Sequence, residues 1–255
     1  MQFQPIRHGV VDSTTERAFA SLKAGNAQHG DLHVARGQSH GRGRQGNVWH
    51  STPDEGLYMS LVLLPQAPPL RPAALTIAAG LALVEALTDL GLPPFSPTRP
   101  ELKWPNDIMV DGAKICGTLT ESRGFDPKRP HFVLGIGLNV RQLHFPPELL
   151  AERRVTSLAV LGLEVTIGDA EEAVLGRLGA RLAQVRQDHR KLASDYLEAS
   201  QLLGKTVDVQ CGKDSWRGRV LGLSLSDGLE LALPDGDTRH LPVEFIQAVV
   251  RAEGL

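Results

Sequence analysis

The fold of this chain is organised around the stretch Gly41-Arg42-Gly43-Arg44-Gln45-Gly46-Asn47-Val48-Trp49. No acidic residue lies between positions 34 and 50, whereas Arg36, Arg42 and Arg44 fall among glycines there. Glycine lets the backbone approach a ligand closely, and guanidinium groups match the geometry of phosphates and carboxylates. The stretch therefore predicts a site for an anion.

Three interpretations of this loop compete. Gly41, Gly43 and Gly46 fit the G-x-G-x-x-G pattern of dinucleotide sites, but that pattern needs a preceding strand and a helix opening at its end. The residues after the loop carry Pro53 and Gly56 and show no helical period. A mobile, solvated basic loop is the ordinary outcome for such a composition. The rest of the chain favours the third interpretation, a loop that orders over a phosphate or carboxylate.

Length and composition bound the possible functions. The 255 residues suffice for one large domain and a small one, and the net charge of −2 argues against a bulk polyanion partner such as DNA. Cys116 and Cys211 lie far apart, which indicates neither a disulfide nor a zinc site. The N-terminus lacks a signal peptide pattern, and Glu85 and Asp89 interrupt the most apolar helical stretch. We expect a cytoplasmic protein with neither a DNA nor a membrane partner.

The first two thirds of the chain mix strand and helix patterns. Asp12 to Thr15 mark a strand that ends at a helix N-cap, where hydroxyls and free N–H groups can also bind a polar ligand group. Leu57–Leu64 is near-continuously apolar, which predicts a buried central strand. The stretch from Pro72 to Leu90 has helical periodicity, and Gly91 is suited to its C-terminal cap. A further helix is expected to begin at Asp169, capped together with Glu172.

A hairpin is predicted where Asp111-Gly112 separates the apolar runs of residues 102–110 and 114–120. Lys103 lies between apolar residues in the sequence, and an ammonium group in apolar surroundings usually has an anionic partner. Asn106 and Asp107 are residue types that favour turns. They also interrupt an otherwise apolar strand, and a purely structural role does not explain that interruption.

A second buried strand is predicted over residues 131–140. Its two glycines leave room for a ligand or a close backbone, and Asn139 ends it with a carboxamide. From Gly204 onward short strands alternate with turns, which indicates a small barrel that leans on the larger domain.

Four motifs together resemble those of biotin protein ligases, in the same order and spacing over nearly the whole chain. They are Gly41–Trp49, Lys103-Trp104-Pro105-Asn106-Asp107, Lys114-Ile115-Cys116-Gly117 and Gly135-Ile136-Gly137-Leu138-Asn139. The resemblance implies an α+β fold, with a mixed or antiparallel central sheet flanked by helices in a class II synthetase-like catalytic domain over residues 1–203. It also implies an SH3-like β-barrel over residues 204–255. The family motif has a third arginine where this chain has Asn47.

The resemblance further implies an activity. Such enzymes use ATP and Mg²⁺ to convert biotin to biotinyl-5′-adenylate, then transfer biotin to a lysine of a biotin carboxyl carrier protein, in acetyl-CoA carboxylase or another biotin-dependent carboxylase. Two anions meet in the first step, and fixed cations stabilise its transition state. By match to the family, that role falls to Arg42, Arg44 and Lys103.

The other site residues are also implied by the resemblance. The biotin and adenylate site would be formed by those three cations with Ser13, Thr14, Thr15, Gln38, Gly41, Gly43 and Gly117. The nucleotide would be held by Trp49, as a stacking platform for adenine, and by Asn106 and Asn139. Asn106 or Asp107 would orient phosphate or metal.

Two other functions stay open at this point. A lipoate or octanoate ligase or transferase would share the fold and the acyl chemistry, but those relatives use a different glycine-rich signature. A biotin-sensing DNA-binding regulator is disfavoured by the charge and by the position of Asp12-Ser13-Thr14, so near Met1 that no room remains for a winged-helix domain. The resemblance therefore implies the monofunctional kind. A homodimer is possible, because bifunctional relatives dimerise through the catalytic sheet.

Overall fold

A seven-stranded mixed sheet forms the centre of the computed structural model, which describes residues 1–65, 70–95, 98–124, 126, 130–187 and 189–252. Its strands are β1 (Gln4–Val11), β2 (Asp31–Gln38), β3 (Gly56–Leu63), β4 (Pro100–Lys103), β5 (Asp107–Val110), β6 (Ala113–Glu121) and β7 (Phe132–Asn139). Their order across the sheet is β1-β2-β3-β7-β6-β5-β4. Among these described strands β1 and β2 pair in parallel, and the other neighbours pair antiparallel.

Helices cover both faces of this sheet. They are α1 (Thr14–Lys23), α2 (Pro72–Asp89), α3 (Pro147–Glu152), α4 (Ile167–Gln187) and α5 (His189–Ser200). α2, α4 and α5 pack with one face into the main apolar core, while Ala18 and Phe19 of α1 pack against Val62 and Val133 on the other. The predicted α+β class, with a mixed sheet flanked by helices, is confirmed.

Alternation along the central strands makes the two faces different. Leu57, Met59, Leu61 and Leu63 of β3 enter the main core, opposite apolar side chains of β7. Next to Val62 and Val133, which pack against α1, the other face carries small residues, with Ser60 paired to Gly135 across these strands and Gly137 paired to Gly117 of β6. Side chains point alternately to the two faces of a strand. One face is therefore filled, and the other leaves a shallow floor on which a ligand site can form.

The helices and strands predicted from sequence are largely present, with two corrections. Residues 102–110 form two strands rather than one, since β4 and β5 make an antiparallel hairpin joined at Trp104-Pro105-Asn106. Helix α4 begins at Ile167, two residues before the expected start at Asp169. Thr166 and Asp169 make the reciprocal cap, because Thr166 N and Oγ1 donate to Asp169 and Thr166 Oγ1 accepts from Asp169 N at 3.1 Å.

Helix α2 is long and apolar enough to cross a membrane by length and composition, contrary to the expectation from sequence. Its apolar character has a structural reason, because 67% of it is buried inside the fold. It packs between the sheet and α4, and Gly91 follows it with a φ of 108°.

A second, antiparallel sheet follows α5. It comprises β8 (Thr206–Cys211), β9 (Asp214–Ser224), β10 (Gly228–Ala232), β11 (Thr238–Leu241) and β12 (Ile246–Arg251), in the order β11-β10-β9-β8-β12. Val207, Val220 and Leu231 belong to the same apolar cluster as the core of the large sheet. The small sheet therefore packs against the larger body as expected, while the boundary at 203/204 stays a prediction.

Gly228 tests how far the small sheet depends on one close backbone contact. Its φ is 103°, and a Cβ atom there would lie 2.0 Å from the Leu241 carbonyl oxygen. We expect Gly228→Ala to lower the free energy of unfolding by roughly 3 kcal/mol or more, measured by urea denaturation. Gly236→Ala is the matched control, since Gly236 has a φ of 94° but no atom within 4 Å of the added Cβ. A cost of about 1–2 kcal/mol is expected there. Equal losses in both variants would contradict the contact argument.

Candidate functional site

The N-terminus of α1 forms one wall of the site. Ser13 is the N-cap, and its Oγ accepts a hydrogen bond from Thr15 N at 3.2 Å. Gln38, at the end of β2, accepts from Thr14 N through Oε1 at 2.8 Å. These side chains are nearly all buried, and the first helix N–H groups are already bonded within the wall, so the wall is a fixed set of hydroxyl and amide groups.

The arginine loop, residues 41–49, is an ordered small hairpin. Trp49 N donates to Gly41 O at 2.9 Å, and Gly43 N donates to Asn47 O at 2.8 Å. Gln45 and Gly46, both at positive φ, turn the chain. No helix follows the loop, so the dinucleotide interpretation is wrong; the chain enters β3 instead. Gly41 is required for packing, since a Cβ there would lie 2.3 Å from Trp49 O.

The indole of Trp49 lies on the glycine floor of the sheet. A Cβ added to Gly137 would lie 2.4 Å from Trp49 Cε2, and one added to Gly117 would lie 3.2 Å from Cζ3. The room that the glycine pattern predicted on this strand is thus taken by Trp49 and, at Gly135, by the Thr15 hydroxyl. Trp49 is half-buried and lines the cavity above the floor.

The cavity between these walls has a volume of about 280 Å³. All the site residues predicted from sequence line it, with the exception of Gly41. In the described part of the chain its lining includes a single carboxylate, Asp107, against five lysine and arginine side chains: Arg42, Arg44, Lys103, Lys114 and Arg153. The excess of cations favours an anionic ligand.

The cations differ in how far the protein neutralises them. Arg42 is paired with Glu16 of α1 and, at 2.9 Å, with Glu121 of β6. Glu16 also pairs with Arg123, and this contact together with Arg42 lowers the pKa of Glu16 to about 2. The charge of Arg42 is therefore already compensated by two carboxylates, which the sequence did not indicate.

Lys103 is the opposite case. Its side chain is exposed, and within the described residues it makes no hydrogen bond or ion pair. The anionic partner that its apolar neighbours predicted is not provided by these residues, so its charge is available to a ligand.

Arg44 is half-buried and donates a long hydrogen bond of 3.4 Å to Asn106 Oδ1. Burial lowers the pKa of Arg44, an effect partly offset by the negative charge of Asp107. Asn106 donates through Nδ2 to the Thr118 carbonyl at 2.6 Å, so it is fixed in the turn and also orients Arg44. Asn139 is similarly held, since its Nδ2 donates to the Thr156 carbonyl at 2.9 Å.

Lys114 is a site residue that the sequence reasoning did not select. Its Nζ pairs with Asp107 at 2.7 Å and lies 5.3 Å from the centroid of the Trp49 ring. The register between β5 and β6 shifts at this point, because Ile108 pairs with Cys116 but Met109 pairs with Lys114. This bulge places Lys114 on the same face as Gly117, three positions further on. Nothing in the residue types of β6 reveals a bulge.

No group of three or more potential ligands from His, Cys, Asp and Glu occurs among the described residues. Asp107 offers one carboxylate at the cavity, and Mg²⁺ commonly binds through one or two carboxylates together with substrate phosphates and water. The donor set thus fits a magnesium ion bound together with a phosphate-bearing ligand.

Comparisons with known proteins agree with this geometry. Residues 8–139 match the family described as "Biotin/lipoate A/B protein ligase family". The chain is 34% identical over 200 residues to the biotin–[acetyl-CoA-carboxylase] ligase of Mycobacterium tuberculosis, covering 78% of this chain and 71% of that one. A biotin protein ligase from Aquifex aeolicus, solved with biotin and ATP, superposes with a TM-score of 0.79 at 28% identity, covering 97% and 99% of the two chains.

A further relative is much longer than the matched region. The bifunctional ligase/repressor BirA of Bacillus subtilis is 39% identical over 146 residues, which is 56% of this chain and 43% of that protein. The chain therefore spans less than half of that relative.

Gly137→Ala tests whether the glycine floor positions Trp49. The added methyl group would displace the whole indole, since the clash involves the ring itself. We expect the tryptophan emission to shift to longer wavelength, because the displaced indole becomes more exposed to water. Gly135→Ala is the control in the same strand, because its Cβ would lie no closer than 3.3 Å to its neighbours, Thr15 Oγ1 being the nearest and Leu119 O following at 3.5 Å. An unshifted spectrum for Gly137→Ala would refute the proposed packing.

The Glu16 ion pairs make stability depend on pH. The pKa of Glu16 falls from its ordinary value of 4.5 to about 2 in the folded protein. A depressed carboxyl pKa stabilises the fold above the unfolded value, and this contribution is lost as the pH falls from about 4.5 towards 2. We expect Glu16→Gln to flatten the decline of the free energy of unfolding across that window, measured by denaturant titration. Glu172→Gln, at an exposed position in α4, should leave the decline unchanged.

Proposed function

The chain belongs to the biotin/lipoate A/B protein ligase family, and we propose that it activates biotin with ATP and transfers it to a carrier protein. The observation that carries the proposal is the cation-rich cavity set against the hydroxyl and amide wall of α1. A vitamin with a polar head and a carboxylate tail fits such a site, with the head at the wall and the tail among the cations. The ligands named for the Aquifex aeolicus relative support the same assignment.

In the first reaction a biotin carboxylate oxygen attacks the α-phosphorus of ATP, and the bond to pyrophosphate breaks. Both reactants are anions, so they repel each other, and charge accumulates on the leaving pyrophosphate. Within the described residues neither Lys103 nor Arg44 forms an ion pair with a carboxylate, so both can approach the reactants without first giving up such a partner. Fixed cations in a partly dehydrated site stabilise such a transition state, typically by several kcal/mol. Lys114 adds a charge that Asp107 already balances.

The remaining site residues have binding roles in this proposal. Ser13, Thr14, Thr15 and Gln38 hold the head of biotin, and Gly43 and Gly117 border the cavity where side chains would intrude. Trp49 stacks on adenine, with Asn139 beside the nucleotide. Asn106 acts through Arg44 rather than on the ligand directly. Mg²⁺, bound through the ATP phosphates and Asp107, would reduce phosphate charge.

In the second reaction a lysine amine of the carrier attacks the acyl carbon of the mixed anhydride, and AMP leaves. The hairpin of the arginine loop limits access of water to this anhydride, which would otherwise hydrolyse. The acceptor is proposed to be a biotin carboxyl carrier protein, in line with the name of the Mycobacterium tuberculosis relative.

We also propose residues 1–203 as the catalytic domain and a cytoplasmic location, in which Cys116 and Cys211 stay reduced.

Pyrophosphate release tests the proposal. The protein is expected to release pyrophosphate from ATP with biotin but not with lipoate or octanoate, and to label a carrier domain. Lys103→Ala should slow adenylate formation by about 100-fold, because an unpaired cation at developing charge contributes that much in comparable sites. Lys23→Ala, exposed in the last turn of α1, is the control of equal charge change. Pyrophosphate release that depends on lipoate would identify lipoate, and not biotin, as the substrate. Unchanged kinetics of adenylate formation in Lys103→Ala would show that Lys103 takes no part in the reaction.

A further inference from the structure

Ser60 places a hydroxyl in the middle of β3, a strand that is buried throughout and mainly apolar. Its relative exposure is 0%, and its Oγ lies 2.8 Å from Thr14 Oγ1 and 3.1 Å from Thr15 Oγ1. A hydroxyl has one proton to donate, so three hydroxyls in contact must divide their protons in a definite way. The neighbours of Thr14 determine that division.

The direction of these bonds is fixed from Gln38. The backbone N–H of Thr14 can only donate, so the amide atom that faces it at 2.8 Å is the oxygen Oε1. Thr14 Oγ1 lies 3.1 Å from the same oxygen, which can only accept. Thr14 therefore donates its single proton to Gln38 and must accept one from Ser60. Because the Ser60 proton is then used, Thr15 must donate to Ser60.

The chain of hydrogen bonds continues on the other side of Gln38. Gln38 Nε2 donates to Ser51 Oγ at 2.8 Å, and Ser51 Oγ donates to the Trp49 carbonyl at 3.3 Å. All donors thus point the same way along one chain, which runs through Thr15, Ser60, Thr14, Gln38, Ser51 and Trp49. It connects the wall at α1 with the arginine loop.

We infer that Ser60 and Ser51 are positioning residues that set the hydrogen-bonding polarity of the biotin head site, an inference that rests on the proposed function. With their protons directed away along the chain, Thr14 and Thr15 offer only lone pairs to a ligand. The second N–H of Gln38 Nε2 stays available as a donor. The wall thus selects ligand N–H groups at the two threonines, and Ser60 excludes the opposite polarity there by fixing the direction of the threonine hydroxyls.

Ser60→Ala tests this directly. Without the acceptor at Ser60, the Thr15 proton is free to turn towards the ligand, where it meets an N–H group. The KM for biotin is expected to rise roughly tenfold, which is the loss of about one hydrogen bond, while the KM for ATP stays unchanged. Ser200→Ala, which removes another buried serine hydroxyl, in α5, controls for general loss of stability. A wild-type KM for biotin in Ser60→Ala, or an equal rise for ATP, would overturn the inference.

Biotin analogues separate polarity from simple loss of packing. In carbamate analogues, an oxygen replaces one or the other ureido N–H, so the ligand loses a donor and gains an acceptor. Wild type should bind at least one of the two analogues more weakly than biotin, and Ser60→Ala should lose most of that preference. A preference equally strong in both proteins would contradict the inference.

Ser51→Ala tests the same chain from its other end and should raise the KM for biotin by a smaller factor, about threefold, since Thr14 N still holds Gln38. No rise at all would count against the chain. The wild-type protein keeps the two proposals distinct, because absence of biotin-dependent pyrophosphate release would refute the proposed function itself. Normal release with unaltered Ser60→Ala and Ser51→Ala kinetics would refute only the positioning roles.

Discussion

The structure depends on the alternation of side chains along β3 and β7, and along β6 beyond its bulge at Ile115. One face of these strands carries leucine, isoleucine and methionine into the main core, and the opposite face carries Ser60, Gly117, Gly135 and Gly137. A floor of small residues lets the Trp49 indole and the α1 terminus lie directly on the backbone. Both the depth of the cavity and the packing of the core follow from this single pattern, since exchanging the faces would fill the site and empty the core.

Charged side chains around the cavity determine how the site acts on a ligand. The site holds more cations than carboxylates in the described residues, yet they are not equivalent. Arg42 is balanced by Glu16 and Glu121, whereas Lys103 has no partner there. The ion pairs of Arg42 connect the loop to α1 and to β6. The unbalanced cation is the one whose field a ligand experiences.

Much of this arrangement could be predicted from the sequence, because turn chemistry and periodicity are local. The Asp111-Gly112 hairpin, the cap at Ser13 and the buried β3 follow from short-range patterns. The position of Lys114 could not be predicted, since it depends on a bulge that only the pairing of two strands reveals. The partners of Arg42 are equally remote in sequence. Ser60 did leave a signal, because a serine inside a buried strand must find hydrogen-bond partners.

The small sheet extends the same reasoning to the end of the chain. Gln247 and Ala248 of β12 line the cavity, although the rest of that sheet packs elsewhere. The pairing of β12 with β8 shifts between Ile246 and Ala248, so Gln247 is the unpaired residue of a bulge. Bulges redirect side chains, and this one turns an exposed amide towards the ligand site. Because the two sheets share one apolar cluster as well as the cavity, the second sheet is part of the site's architecture and more than an appended module.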